Sequence, residues 1–211
     1  MPRPAQNILS PRIIAEAALG LVERQGDFTI PGIAKQLGVN ASSLYHHVKG
    51  GKNEIIDLMR AVLYERIDLA PFAATDRDWR DRFAEWVRAY RASMAIFPEA
   101  LSLLVRKPVD DETTLKLYNA AFELLNEAGI PTEDQVDVLT FLDILVLGSA
   151  LDSMAPTPLW IPDGAEVPAL ARAASHGDDP DRSLRGLEIA IAAAAEYILR
   201  LGREASSSRG S

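Results

Sequence analysis

The run TIPGIAKQLGVNASSLYHHVKGGK, residues 29–52, concentrates the side chains best suited to chemistry in this chain. Ser42, Ser43, Tyr45 and His46 are small or hydrogen-bonding groups in one short stretch, of the kind that reads base edges in a DNA major groove. Such groups need a rigid mount, and the flanking residues predict one. Ala34 is small where two helices must approach closely, and Gly38 can adopt the left-handed backbone of a tight turn. Asn40 suits the N-cap of a second helix spanning about Ala41 to Val48. Ile33, Leu37, Val39, Leu44 and Val48 fall at positions that face inward when two such helices cross. These features predict a helix-turn-helix. A helical hairpin without any ligand shares the glycine and the apolar spacing, and the alternative for Tyr45 is partial burial against the first helix.

The continuation separates these readings. Leu44-Tyr45-His46-His47-Val48 followed by Lys49-Gly50-Gly51-Lys52 resembles the recognition-helix end of the TetR family of transcriptional repressors. The last lysine stands one residue later than in the shortest family pattern, with Gly50-Gly51 taking up the difference. The resemblance covers roughly residues 10–66. It implies that His47 and Lys52 meet the phosphate backbone and that Thr29 caps a helix and often does so too; Lys49 is a further candidate phosphate contact beside them. Hydroxyl, imidazole and ammonium groups near helix N-termini are chemically suited to that task. No Arg, Asn or Gln able to grip a base bidentately stands in the exposed centre of the recognition helix, so groove shape and water are expected to share the readout.

Charge is laid out accordingly. The 211 residues carry a net charge of -8, unusual for a DNA binder. Residues 1–52, however, hold six Lys/Arg against three acids, a surplus of +3, which leaves -11 for the remainder. The acidic part would face away from DNA and oppose non-specific binding. Cysteine is absent, which excludes a disulfide framework and thiolate metal sites. His46 and His47 are adjacent and so do not share a helix face, which argues against a metal site, and no cofactor is expected. No apolar run reaches membrane-spanning length, with Asp143 and Glu196 interrupting the best candidates. MPRPAQNILS lacks the apolar core of a secretory signal, so a cytoplasmic protein is expected.

The elements that must position these groups read as helical throughout, an all-α chain. Ser10-Pro11 starts a first helix with apolar rows Ile13/Ala17/Leu21 and Ile14/Ala18/Val22, ended by Gly26. A fourth helix begins near Lys52. A composition shift near residues 70–75 is followed by an aromatic stripe, Trp79, Phe83, Trp86, Val87, Tyr90 and Met94. Further helices are expected over about 99–106, 110–128, from Thr132 with a Thr132/Gln135 capping box, and over about 183–203. Residues 155–182, rich in proline, form a long connection with a short helix over about 167–174; a cover for a cavity and a disordered loop are both open readings. The expected division is a helix-turn-helix DNA-binding domain over 1–52, a helical ligand-binding and dimerisation domain over 53–205, and a disordered tail over 206–211.

The resemblance further implies a homodimer through the last two long helices, where Gly148, Ser149, Ala150, Ala190 and Ala192 to Ala195 are small enough for close approach. It also implies a largely apolar cavity for a small-molecule effector. Trp86, Tyr90, Met94, Phe97, Tyr118, Phe122, Phe141 and Leu145 are candidates to line it. Asn119, Asp143 and Asp152 are polar residues within apolar helices; each can hold a ligand's donor or cation, while Asp143 or Asp152 can instead pair with an arginine across the dimer or face solvent. The function expected is a regulator bound to a palindromic double-stranded DNA operator and released by a small molecule. An all-α enzyme lacks any nucleophile-base pair, metal spacing or phosphate loop, and a helical interaction module without DNA binding is the other alternative.

Overall fold

The structure, a computed structural model, describes residues 9–176 and 179–208. The first helix, α1 (Pro11–Gln25), starts where the Ser10 hydroxyl accepts from the Ile13 amide at 3.3 Å and Pro11 has no amide to satisfy. It ends at Gly26, whose φ of 78° turns the chain while its N–H donates to the Val22 carbonyl. α2 (Ile30–Leu37), α3 (Ala41–His47), α4 (Lys52–Tyr64), α5 (Trp79–Met94), α6 (Leu101–Leu104) and α7 (Glu112–Glu127) follow. α8 (Thr132–Asp152), α9 (Pro168–Ala174) and α10 (Arg182–Ser208) complete the chain, with 3-10 turns at Ala70–Ala73 and Pro98–Ala100. No strand occurs among the described residues. None of these helices is long and apolar enough to cross a membrane.

Two compact units result. One takes the chain up to Asp68 together with Glu99–Leu117; the other takes Leu69–Pro98 and the chain from Tyr118 onward. In the first, α1 packs on α4, α2 on α1, and α3 on α2. Ile14, Ala18 and Val22 of α1 and Ile55, Met59 and Leu63 of α4 are buried in its core. α4 is also fixed to α6 by a buried cation. Arg60, 2% exposed, donates from Nη2 to the carbonyls of Leu104 at 2.7 Å and Lys107 at 3.1 Å. Carboxylates of Asp57 and Asp111 stand 3.7 Å from its Nη1, and Lys107 pairs with Asp57.

In the second unit α5 packs on α8 and α10, and α8 on α10. Phe83, Trp86, Val87, Tyr90 and Met94 of α5 are buried there, as are Leu142 and Val146 of α8 and Ile191 and Ile198 of α10. The buried Arg82 donates to the Phe72 carbonyl at 3.0 Å and to Glu127 at 2.9 Å. α10 comes very close to the α7–α8 turn. A Cβ placed on Gly202 would lie 2.3 Å from the Ala128 carbonyl oxygen, so only glycine fits without displacing backbone.

Several details differ from the sequence reading. The Thr132/Gln135 capping box does not form. Pro131 is the N-cap, and the buried Gln135 amide instead donates to Asn126 at 2.6 Å and to the Ile130 carbonyl at 3.0 Å. The segment expected as a helix over 99–106 divides into a 3-10 turn and the single turn of α6. Asn40 occupies its N-cap position without a side-chain cap bond. α10 extends to Ser208, into the expected tail; residues 209–211 lie outside the described residues. The compact units divide the chain by packing, whereas the expected division after Lys52 is one of function.

Gly202→Ala is expected to cost about 1–3 kcal/mol of stability through overpacking against fixed backbone. Urea unfolding of variant and parent measures it, and an unchanged midpoint would contradict the close approach.

Candidate nucleic-acid interface and effector site

The recognition element is built by its caps and its buried seam. The Thr29 hydroxyl accepts from the Gly32 amide at 3.1 Å and starts α2. Gly38, at φ 68°, turns the chain toward α3 and donates to the carbonyls of Ala34 and Lys35. Ile33, Ala34, Leu44 and Val48 are buried, while Leu37 and Val39 are half-buried. That seam rotates the rest of α3 outward. Ser42, Tyr45, His46 and His47 are exposed and Ser43 is half-buried. Tyr45 is 52% exposed.

The step from α3 to α4 explains the extra glycine. Gly51 caps α4 at φ 64°, a conformation costly for any other residue. The Glu54 carboxylate reaches back to accept from the Gly50 amide at 2.7 Å, tying the first turn of α4 to the residue before its N-cap. Lys49 is exposed beside it. Lys52, on the first residue of α4, is not idle. Its ammonium donates to Asp27 at 2.7 and 2.9 Å and sits 5.0 Å from the centre of the Phe28 ring. The Lys52 hydrogen bond, aided by one from the Phe28 amide, holds the Asp27 carboxyl below its usual range. Sequence reasoning missed Asp27, because nothing in the spacing links residue 27 to residue 52. Its position just before Phe28 and Thr29 is the one local signal.

The effector candidates divide. Trp86, Tyr90, Tyr118 and Asp143 come together in the second unit. Trp86 and Tyr90 are buried with ring centres 5.3 Å apart, and Tyr90 meets Tyr118 edge-on at 6.2 Å. The two phenol oxygens are 3.1 Å apart, and the Tyr118 hydroxyl lies 3.3 Å from both Asp143 oxygens. Phe122 is half-buried on the same helix as Tyr118. Asn119 is exposed. Asp152 forms an ion pair with Arg182 at 3.1 Å within the same chain. Phe141, 39% exposed, stacks edge-on against Tyr197 at 5.9 Å instead of lining this cluster.

Burial pushes the Asp143 carboxyl up to about 6, against the opposing pull of hydrogen bonds from Tyr90 and Tyr118. The folded state therefore keeps this proton to a higher pH than the unfolded chain does. The stability it contributes is full below the ordinary carboxylate range and is lost as pH rises through about 6. Asp143→Asn cannot ionise. Between pH 4 and pH 8 its stability relative to the parent is expected to improve by about 1–3 kcal/mol. Urea unfolding at the two pH values tests this, and a pH-independent difference would contradict it.

Known proteins carry the same architecture. The family model described as "Tetracyclin repressor-like, C-terminal domain" matches residues 70–183, more than half of the chain. A solved structure of a possible TetR family transcriptional regulator from Streptomyces coelicolor A3(2) superposes with a TM-score of 0.71 at 20% identity. That match covers 90% of this chain and 98% of the other. The S. coelicolor TetR family protein ActR, solved in complex with actinorhodin, gives a TM-score of 0.70 at 17% identity over 92% and 97% of the two chains. TetR from Acinetobacter baumannii AYE gives 0.69 at 20% identity over 92% and 98%. No curated protein matches the sequence. With residues 70–183 matched by the family model and nine-tenths of the chain by the fold, this chain belongs to the TetR family of transcriptional regulators.

Proposed function

We propose that this regulator is a cytoplasmic homodimeric repressor whose two α3 helices enter successive major grooves of a palindromic operator, about 34–36 Å apart. The observation that carries the reading is α3 itself. It is seven residues long, seated by Leu44, and turns Ser42, Tyr45, His46 and His47 to solvent. In this reading Tyr45, His46, Ser42 and Ser43 face the groove. Thr29, His47, Lys49 and Lys52 contact phosphates, and residues 1–52 act as the DNA-binding domain. Lys52 can do so only by sharing or leaving Asp27, so part of the ammonium's attraction for DNA is offset in the free protein.

Dimerisation through α8 and α10 is supported by the apolar residues they leave uncovered. Val136, Ile144 and Leu151 of α8 are 63%, 69% and 47% exposed, and Ile189 of α10 is 73% exposed. α8 is apolar on both faces while only one is buried in its own unit, the pattern of a helix that meets a second copy. The neighbour solved with actinorhodin supports a small-molecule effector here. In this reading residues 53–205 form the effector-binding and dimerisation domain. Trp86, Tyr90, Tyr118, Phe122 and Asp143 are the best-placed groups, whereas Asn119 and Asp152 have weaker claims from their positions. Effector release requires only that the ligand prefer a conformer with a different α3 spacing.

Selection from a random duplex pool at moderate salt is expected to return a palindrome. No enrichment even at low salt would favour an interaction module instead. On the selected site, Tyr45→Ala is expected to cost about 1–3 kcal/mol of specific affinity. Lys52→Ala should weaken all sequences alike and lower the salt slope by about one. Unchanged specific binding by Tyr45→Ala would remove α3 from the groove.

A further inference from the structure

Arg91 stands apart from every other buried cation in the second unit. It projects from α5, is 9% exposed, and has no carboxylate within ion-pairing distance among the described residues. Its Nη2 donates to the Ser183 hydroxyl at 3.2 Å and weakly to the Ser149 carbonyl at 3.4 Å, while its Nε is sealed from solvent with no partner. Ser149, whose carbonyl meets it, has its own hydroxyl buried and unpartnered. By contrast, the buried Arg82 is neutralised by Glu127. Two orphaned polar atoms around one buried charge are costly unless something satisfies them.

The surrounding charges say what that something is. Asp152 acts on Arg91 only through space, because Arg182 already holds it at 3.1 Å. The cluster of Arg91, Arg182 and Asp152 therefore carries one uncompensated positive charge. Ser183 lies in the first turn of the long helix α10, whose N-terminus adds a further positive potential. Desolvation pulls the Arg91 guanidinium below its ordinary value, the mark of a cation without an adequate counter-charge. A planar monoanion balances the charge and matches the guanidinium fork, which a dianion or a neutral amide does not.

We propose that Arg91, with the hydroxyls of Ser149 and Ser183, is the seat of a carboxylate group on a small-molecule effector, held where α5, α8 and the N-terminal turn of α10 converge. Its residues differ from those of the Tyr90–Tyr118–Asp143 cluster. It rests on the reading of the second unit as an effector-binding body and names the chemical class that body selects.

The test uses the full chain labelled with nitrogen-15 and follows the Arg91 Nε–H resonance. The probes are sodium acetate and sodium benzoate, with acetamide, benzamide and sodium chloride at matched ionic strength. The carboxylates are expected to move the resonance saturably and raise the melting temperature, and the controls to do neither. Arg91→Met should lose the response, with binding weaker by roughly tenfold or more, while melting no lower than the parent because a buried unpaired charge is gone. Ser149→Ala keeps the guanidinium and should weaken benzoate several-fold, which preserves the test if Arg91→Met fails to fold. An unmoved resonance, equal responses to acids and amides, or a full response in Arg91→Met would overturn the assignment. So would a resonance that shifts with protein dilution before any probe is added, because a second copy would then supply the anion. Operator binding separates this proposal from the regulatory one. Carboxylate binding that leaves operator affinity unchanged counts against effector control and not against the site. Release by an uncharged compound in Arg91→Met counts the other way.

Discussion

An eight-residue helix and a seven-residue helix do not persist in water by themselves, because the cost of nucleating them exceeds what so few backbone bonds return. The recognition element therefore exists only as far as α1 and α4 hold it. α1 contributes Ile14, Ala18 and Val22 and α4 contributes Ile55, Met59 and Leu63 to a core from which solvent is excluded. Against it α2 and α3 need only Ile33, Ala34, Leu44 and Val48 to be seated. With the apolar positions committed inward, the polar ones face outward by geometry alone. The polar face proposed to read DNA is in this sense the by-product of a core that would form without any DNA.

Buried charge organises the rest. Arg60 and Arg82 are both almost sealed from water, yet each is surrounded by carbonyls and carboxylates, so desolvation is met by directed acceptors. Arg60 takes up the Leu104 carbonyl at the open end of the single turn of α6 and the Lys107 carbonyl just beyond it. Arg91 and Asp143 lack such compensation to different degrees. Asp143 has two phenols, and Arg91 has one hydroxyl and a distant carbonyl. Incompletely satisfied charge is where a folded body retains affinity for something it does not contain.

Much of this was legible from residue types. Ser10-Pro11, Gly26, Thr29 and Gly38 mark helix ends through local backbone chemistry, and all four act where expected. The α5 stripe is legible because its period repeats over four turns; Phe83, Trp86, Val87, Tyr90 and Met94 are all buried. The failures share a different cause. Gln135 belongs to a capping box by spacing, but a tertiary neighbour, Asn126, and the Ile130 carbonyl compete successfully for its amide. The Asp27–Lys52 pair, the carbonyls around Arg60 and the isolation of Arg91 depend on contacts between residues far apart in sequence. No periodicity encodes them. Asp152, one of three polar residues with open readings, is explained only by Arg182 thirty positions away.

The near-contact at Gly202 bears on how sequences of this shape can change in length. α10 rises about 1.5 Å and turns about 100° per residue, so its outer face is in phase with its inner one only if the helix is counted from a fixed point. The Ala128 carbonyl, 2.3 Å from where a side chain would begin, supplies that point. An insertion between Leu187 and Gly202 would rotate every upstream residue off its partner. One in the proline-rich connection before Arg182 would leave the phase of the helix untouched. Gly202 thereby confines length variation to the connection and protects the bundle from it.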